Sequence, residues 1–439
     1  MKKEKNMKKI NNKIKKEIFY ISFFFLLSFL NQLTLLFFFI YLFYKSFGGK
    51  FYCIYGLLLI AFRTIINENI AINIGSMQTI KYCIIFYLCF MICLSKKSYM
   101  TQKQAKWFKI ILLICFFMFI YVLIISLIFS GYPTISIFKY FSYCFPFISI
   151  MYGIICTAKK INWLNHLYYL FTILIIGSLL SIPFPYAYYS SRNWFAGLTN
   201  QSNMFGILAA MYVAILLTKL MKEKSKFLFF NLIITICMAW MSNSRTGMLS
   251  IVLCLIIYII YEIFLRVNIK LLALILISIF IITVTPLSNF VQSSISAFLF
   301  KGSDSTEIIN SNNISNIFSS REGQKNTFLE KYEKNKIFGT GFQVPINENH
   351  RDWSLNFSTI VEPGNLLYAV IGDIGLIGFF IFTILYFTIF ISKINIKKIL
   401  LFIIPFAISS GEMVFFSTNN IAIILYVLFG IYLSNETEY

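Results

Sequence analysis

Hydrophobic residues make up 59% of the 439 and charged residues only 13%, where a soluble domain keeps about a quarter of its residues charged. That balance excludes a water-soluble globular fold and indicates an integral membrane protein. The formal net charge of +21 would otherwise point to nucleic acid, but its lysines sit at the N-terminus and in short connectors. That is the distribution of basic loops retained in the cytoplasm, so nucleic acid is excluded as a partner.

In chain order, residues 1–17 form a basic cytoplasmic N-terminus holding Lys2, Lys3, Lys5, Lys8, Lys9, Lys13, Lys15 and Lys16. It lacks a small-residue cleavage site, so the first apolar segment is expected to stay as an anchor. From residue 18 to 286 the chain alternates apolar runs with short connectors. The runs are near 18–43, 51–66, 79–94, 107–129, 138–157, 163–182, 203–218, 227–242, 247–265 and 271–286. Their continuity, rather than alternation, predicts helices crossing a hydrocarbon core about 30 Å thick. Basic connectors (Lys96 to Lys109, Lys159 and Lys160, Lys219 to Lys226, Arg266 to Lys270, Lys393 to Lys398) mark the cytoplasmic side. Consistent alternation requires the first run to be a helical hairpin turning near Asn31-Gln32.

One long polar stretch, 287–363, interrupts this pattern and is expected to be a large outer, periplasmic loop. Its first half is rich in Ser and Asn, and its second half, from Arg321 to Lys336, has the composition of a helix. Residues 364–434 return to the membrane, with the run 399–433 expected to split near Ser417 to Asn420 and Pro363 expected in the first turn of the preceding helix. The fold class is therefore all-α: a polytopic membrane helical bundle of about 12–14 helices with one large outer loop. The nine cysteines all lie in apolar runs and show neither a disulfide framework nor metal spacing. No metal site and no cofactor are indicated.

Candidate chemistry concentrates on the outer side. Arg245, in Ser242-Asn243-Ser244-Arg245-Thr246-Gly247, lies at a junction between two apolar runs. Its fork of donors suits a pyrophosphate better than a lysine would. Arg321 opens the helical half of the loop, a position from which it would fold back over the outer mouth of the bundle. Arg63, Arg192, Arg351, His350 and Asn365 are secondary candidates. Glu362 and Asp373 are the carboxylates placed to activate a hydroxyl, Asp373 because acids within membrane segments are functional candidates by default. Glu412 is a further buried acid with no evident partner. Lys331 and Arg351 are expected to be solvated loop charges, and His166 structural. Gly339-Thr340-Gly341 lacks the context of a nucleotide loop and reads as a turn.

The order of these pieces resembles the O-antigen polymerase and O-antigen ligase superfamily. The matching segments are Gly197 to Asn203, Ser244 to Gly247, Ser320-Arg321, Asn335 to Phe342, and Gly364 to Leu367 followed by Gly372 to Gly378. The resemblance implies a multi-pass enzyme of the bacterial inner membrane, N-terminus cytoplasmic. It would transfer glycan from an undecaprenyl-pyrophosphate-linked oligosaccharide at the outer leaflet, with a chain-length regulator as a further partner. Arg245 and Arg321 match the family's arginines, which grip the pyrophosphate. Ligases typically carry His-Asn where this chain has Gly364-Asn365, which favours polymerase over ligase. A lipid-linked oligosaccharide flippase is the alternative of another class; two related halves, short loops and charges lining a central cavity would mark it, whereas this chain concentrates its distinctive residues at one outer face.

Overall fold

The first apolar run folds as a hairpin. In a computed structural model, which describes residues 17–95, 100–189, 194–265, 322–346, 352–353, 364–417 and 421–434, α1 (Glu17–Leu27) and α2 (Gln32–Ser46) are joined by a tight turn. Asn31 caps α2 by accepting the Thr34 N–H at 2.8 Å, and Thr34 Oγ1 accepts the Asn31 N–H at 3.2 Å. This reciprocal pair satisfies two donors that a helix start leaves open. At the other end of the hairpin, Lys45 and Glu17 form an ion pair at 2.5 Å. Both ends of the run therefore lie on one side, as the alternation of basic connectors requires.

The following helices are α3 (Lys50–Ile65), α4 (Gln78–Leu94), α5 (Gln102–Phe129), α6 (Pro133–Thr157), α7 (Trp163–Ser181), α8 (Ser202–Leu220), α9 (Lys226–Met241) and α10 (Arg245–Ile260). The second half of the long loop forms α11 (Glu322–Lys334), and beyond the loop come α12 (Leu366–Ser392), α13 (Ile399–Ser409) and α14 (Ala422–Leu433). Two residue pairs, Tyr188–Tyr189 and Trp194–Phe195, form a small antiparallel ribbon (β1 and β2) before α8. Among the described residues, six helices are long and apolar enough to cross a membrane, and there are several shorter apolar helices besides. The expected run 271–286, the loop's first half, Pro363 and the 418–420 end of the last break lie outside the described residues.

Burial sorts the helices. α8 and α14 are enclosed along almost their whole length, with Phe205 to Leu217 and Ala422 to Tyr432 inaccessible. They form central posts, α8 against α9, α10 and α13, and α14 against α6. α5, α9 and α12 instead expose rows of Phe, Leu and Ile on one side, Phe116, Phe229 and Phe380 among them. In lipid such a face costs nothing, whereas in water it would be an aggregation surface.

The two ends of the bundle differ in chemistry. At one end lysines terminate helices. Lys50 Nζ donates to the carbonyls of Ile92 (2.7 Å) and Ser95 (2.6 Å), and Lys398 Nζ to that of Ile431 (3.1 Å), with Lys393 reaching Ser434. Ammonium groups there answer the open carbonyls and the negative dipole end. At the other end, the loop end, backbone links knit distant turns together. Ile72 N–H bonds the Phe29 carbonyl, Asn67 N–H that of Leu198, and Asn200 N–H that of Ile65.

The last apolar run splits as expected, but the break begins earlier, at Ser410. Residues 411 and 413–416 are buried there in irregular conformation. Such backbone is tolerated at depth because protein, not lipid, surrounds it. α12 starts at Leu366 with Asn365 as its cap, three residues later than Pro363 would place it.

Candidate functional site

At the α9–α10 junction the chain reverses through Asn243, whose φ of 51° is left-handed, a conformation Asn tolerates. Ser244 then caps α10, its Oγ accepting the Gly247 N–H at 3.3 Å, and Arg245 is the first helical residue, half-buried. A helix start offers open N–H groups and positive dipole charge to an anion. The junction is pressed against α8. A Cβ added at Gly247 would lie 2.6 Å from the Gly206 backbone, so no larger residue fits that crossing.

Three other segments close on the same place. Thr246 packs on Gly411 so tightly that a Cβ there would lie 2.2 Å from its Oγ1. Next to Gly411, Glu412 accepts a hydrogen bond from Asn203 Nδ2 at 3.2 Å. Asn365 accepts the N–H groups of Leu367 (2.9 Å) and Tyr368 (3.4 Å), and its Nδ2 donates to the Ser410 carbonyl at 2.8 Å. Segments around residues 203, 245, 365 and 411 thus meet at the loop end. The segments that carry Arg245, Glu412, Asn203 and Asn365 therefore converge on one helix start. Glu412, an acid without an evident partner in the sequence, has one in Asn203. No local signal announces that pair, because Asn203 lies in the first turn of α8 and Glu412 in the irregular break after α13, 209 residues apart.

A second assembly lies within α12. Asp373, fully buried, pairs with Lys331 of α11 at 2.6 Å and accepts the Gln343 N–H at 2.8 Å on its other oxygen. Its carbonyl receives the N–H groups of Thr340 (3.1 Å) and Gly341 (3.0 Å). Two residues on, Gly375 leaves the helical conformation with φ of 64°. The turn 336–343 docks into that break: Leu376 N–H bonds the Lys336 carbonyl and Ile377 N–H that of Ile337. A Cβ at Gly375 would lie 2.3 Å from the Ile337 carbonyl oxygen, and one at Gly339 2.4 Å from that of Asp373. Glycine at both positions is therefore required by the close approach of two backbones. The Gly-Thr-Gly segment is a turn, as read from the sequence, and its purpose is packing.

Lys331 corrects an expectation. It is 2% exposed, not a solvated loop charge, because α11 lies on α12 with Phe328 stacked on Tyr368 at 4.6 Å. Arg63 is buried near the end of α3. Arg192, Arg321, Arg351, His350 and Glu362 lie outside the described residues. Of the sequence candidates, the structure brings Arg245 and Asn365 into one assembly, and sets Asp373 in the clasp between α11 and α12.

A family model described as O-antigen ligase matches residues 230–383. The matched span runs from within α9 to within α12, and contains Arg245, Lys331, the 336–343 turn, Asn365 and Asp373. Asn203, Glu412 and Arg63 lie outside it. No curated protein matches the chain, and no solved structure does.

Proposed function

This chain belongs to the O-antigen ligase and polymerase superfamily, and from that premise we propose that it is a surface-polysaccharide repeat-unit polymerase. Members of the superfamily are membrane enzymes of glycosyltransferase type that act on lipid-linked oligosaccharides. In the proposed reaction an acceptor sugar hydroxyl on one lipid-linked repeat unit attacks the anomeric carbon of a growing glycan. The bond from that carbon to undecaprenyl pyrophosphate breaks, the pyrophosphate leaves with the electron pair, and the hydroxyl proton passes to a carboxylate. The loop end is then the outer face of the inner membrane.

The observation that supports this reading best is the meeting of the α10 start with Asn203, Asn365 and Glu412. Charge develops on the departing pyrophosphate, and preorganised donors aimed at it lower the barrier. Arg245 supplies such donors at a helix start, and Arg321 is proposed as its partner from the loop. Glu362 remains a candidate for the proton acceptor, and Glu412 is the carboxylate that the fold adds beside Arg245. Asp373, with both oxygens engaged, suits positioning of the 336–343 turn better than proton transfer. Asn365 follows Gly364 where ligases carry His-Asn, and here it serves as cap and strut.

Deleting the gene in a host that makes lipopolysaccharide is expected to leave single repeat units on the lipid-A core. A ligase deletion would leave none, and a flippase deletion would leave none exported. Long-chain ladders of normal length in the deletion strain would overturn the assignment.

A further inference from the structure

A polar cavity whose lining does not include Arg245 lies at the loop end. It has a volume of about 160 Å³ and is lined by Arg63, Thr64, Glu68, Gln78, Lys81 and Asn200, among others. A water occupies about 30 Å³ in the liquid, so the space exceeds what one or two waters need. Two of its cations are almost wholly enclosed, Arg63 at 2% exposure and Lys81 at 1%.

Neither cation has an anionic partner among the described residues. Arg63 Nη2 donates to the carbonyls of Ser28 (3.2 Å) and Ile72, while its buried Nε has no hydrogen-bond partner. The Arg63 guanidinium also faces the Phe29 ring at 5.4 Å. Lys81 Nζ faces the Tyr82 ring at 5.5 Å, and no hydrogen bond or ion pair holds it among the described residues. Glu68 is the one carboxylate lining the cavity; it is exposed and accepts from Asn73 Nδ2 at 2.6 Å. Burying an ammonium and a guanidinium around one space without a counter-charge is strongly unfavourable, and truncating either would be the cheaper solution unless an anion completes the set. Gln78 opens α4, whose positive dipole end favours the same charge, although its own N–H is taken by the Gly75 carbonyl.

We propose that this cavity binds the phosphate or diphosphate head of a lipid. Its place supports a head arriving at the membrane boundary, since Arg63 lies in the last turn of α3 and Lys81 in the first turn of α4. Asn200 ties it to the Arg245 assembly: Asn203, three residues on, holds Glu412, and Gly206 packs on Ser244. Assigning the head to a second lipid-linked substrate rests on the polymerase reading, in which two diphosphate-linked lipids meet on one enzyme and Arg245 holds one of them.

The test uses the full chain in phosphatidylcholine nanodiscs with farnesyl diphosphate as probe and farnesol as control. Two farnesyl diphosphates are expected to bind per wild-type chain, one in Lys81→Met, one in Arg245→Ala and none in the double variant. Lys81→Met keeps the chain length and removes an unpaired buried charge, so the empty variant is expected to melt above the wild type. Arg63→Lys, which retains charge and loses the fork, is expected to weaken the Lys81-dependent site without abolishing it. Retention of two sites in Lys81→Met, or equal binding of farnesol, overturns the proposal. Loss of one site in Lys81→Met with none lost in Arg245→Ala supports this cavity and removes the Arg245 assignment instead. Repeating the titration in phosphatidylglycerol discs identifies the source of the head. Occlusion of only the Lys81-dependent site there supports a bilayer phospholipid, and an unchanged count supports the prenyl diphosphate.

Discussion

Lys331→Met is expected to destabilise the protein by about 3–5 kcal/mol, the cost of leaving one member of a buried ion pair alone. Asp373 would lose the ammonium 2.6 Å away in an enclosed site, leaving its carboxyl group either charged and unpaired or neutralised by a proton, and both states forfeit the pair. Asp373→Asn should cost a comparable amount by stranding Lys331, though the amide oxygen still serves the Gln343 N–H. The double variant Lys331→Met with Asp373→Asn leaves neither charge behind, so it should recover much of the loss. Thermal unfolding of the four proteins in detergent measures the coupling as a double-mutant cycle. Additive losses would mean that the pair is not the clasp between α11 and α12. In either single variant the 336–343 turn should also become open to protease, because its docking depends on the same residues.

Arg245→Ala should cut polymer formation by about 10²–10³-fold, the usual loss when one preorganised donor to a developing anion is removed. Arg321→Ala is expected to behave alike. Arg245→Lys should restore only part of the activity, because a lysine keeps the charge and loses the bidentate fork. Protein levels in the membrane should stay normal, since Arg245 opens a helix that Ser244 already caps. The readout is the polysaccharide ladder in a deletion strain carrying each variant. Arg351→Ala serves as the control for a loop arginine outside the proposed clamp. Wild-type ladders in both alanine variants would remove the pyrophosphate assignment while leaving the match of residues 230–383 to the O-antigen ligase family model untouched.

Much of the architecture was readable because membrane helices obey a length rule. Runs such as 79–94 and 163–182 correspond to α4 and α7 within a residue or so at each end. The hairpin in the first run followed from charge parity and from Asn31, a polar residue in an apolar stretch that proved to be a helix cap. Asn365 was singled out for its place in a motif, and its side chain turns out to cap α12 and tie it to the end of α13. What composition could not reveal was anything joining distant helices. Lys331 sits in a polar loop and reads as solvated, yet Phe328 against Tyr368 folds its helix onto α12 and closes over the charge. Glu412 finds Asn203 across the bundle, and Arg63 shares a cavity with Lys81 only because α3 and α4 converge beside Asn200. Gly375 looks like an ordinary small residue in a span, and only the docked turn shows why it leaves the helical conformation.

The central claim is that the loop-end assembly around Arg245 performs glycan transfer between lipid-linked units. The most direct measurement places the purified protein in sealed vesicles with lipid-linked repeat units and no ion gradient or membrane potential, then follows glycan length on a gel. The account predicts stepwise elongation with release of the lipid pyrophosphate by the wild type, and no elongation by Arg245→Ala. Movement of lipid-linked units across the bilayer without any lengthening, or elongation equal in the Arg245→Ala protein, would contradict it.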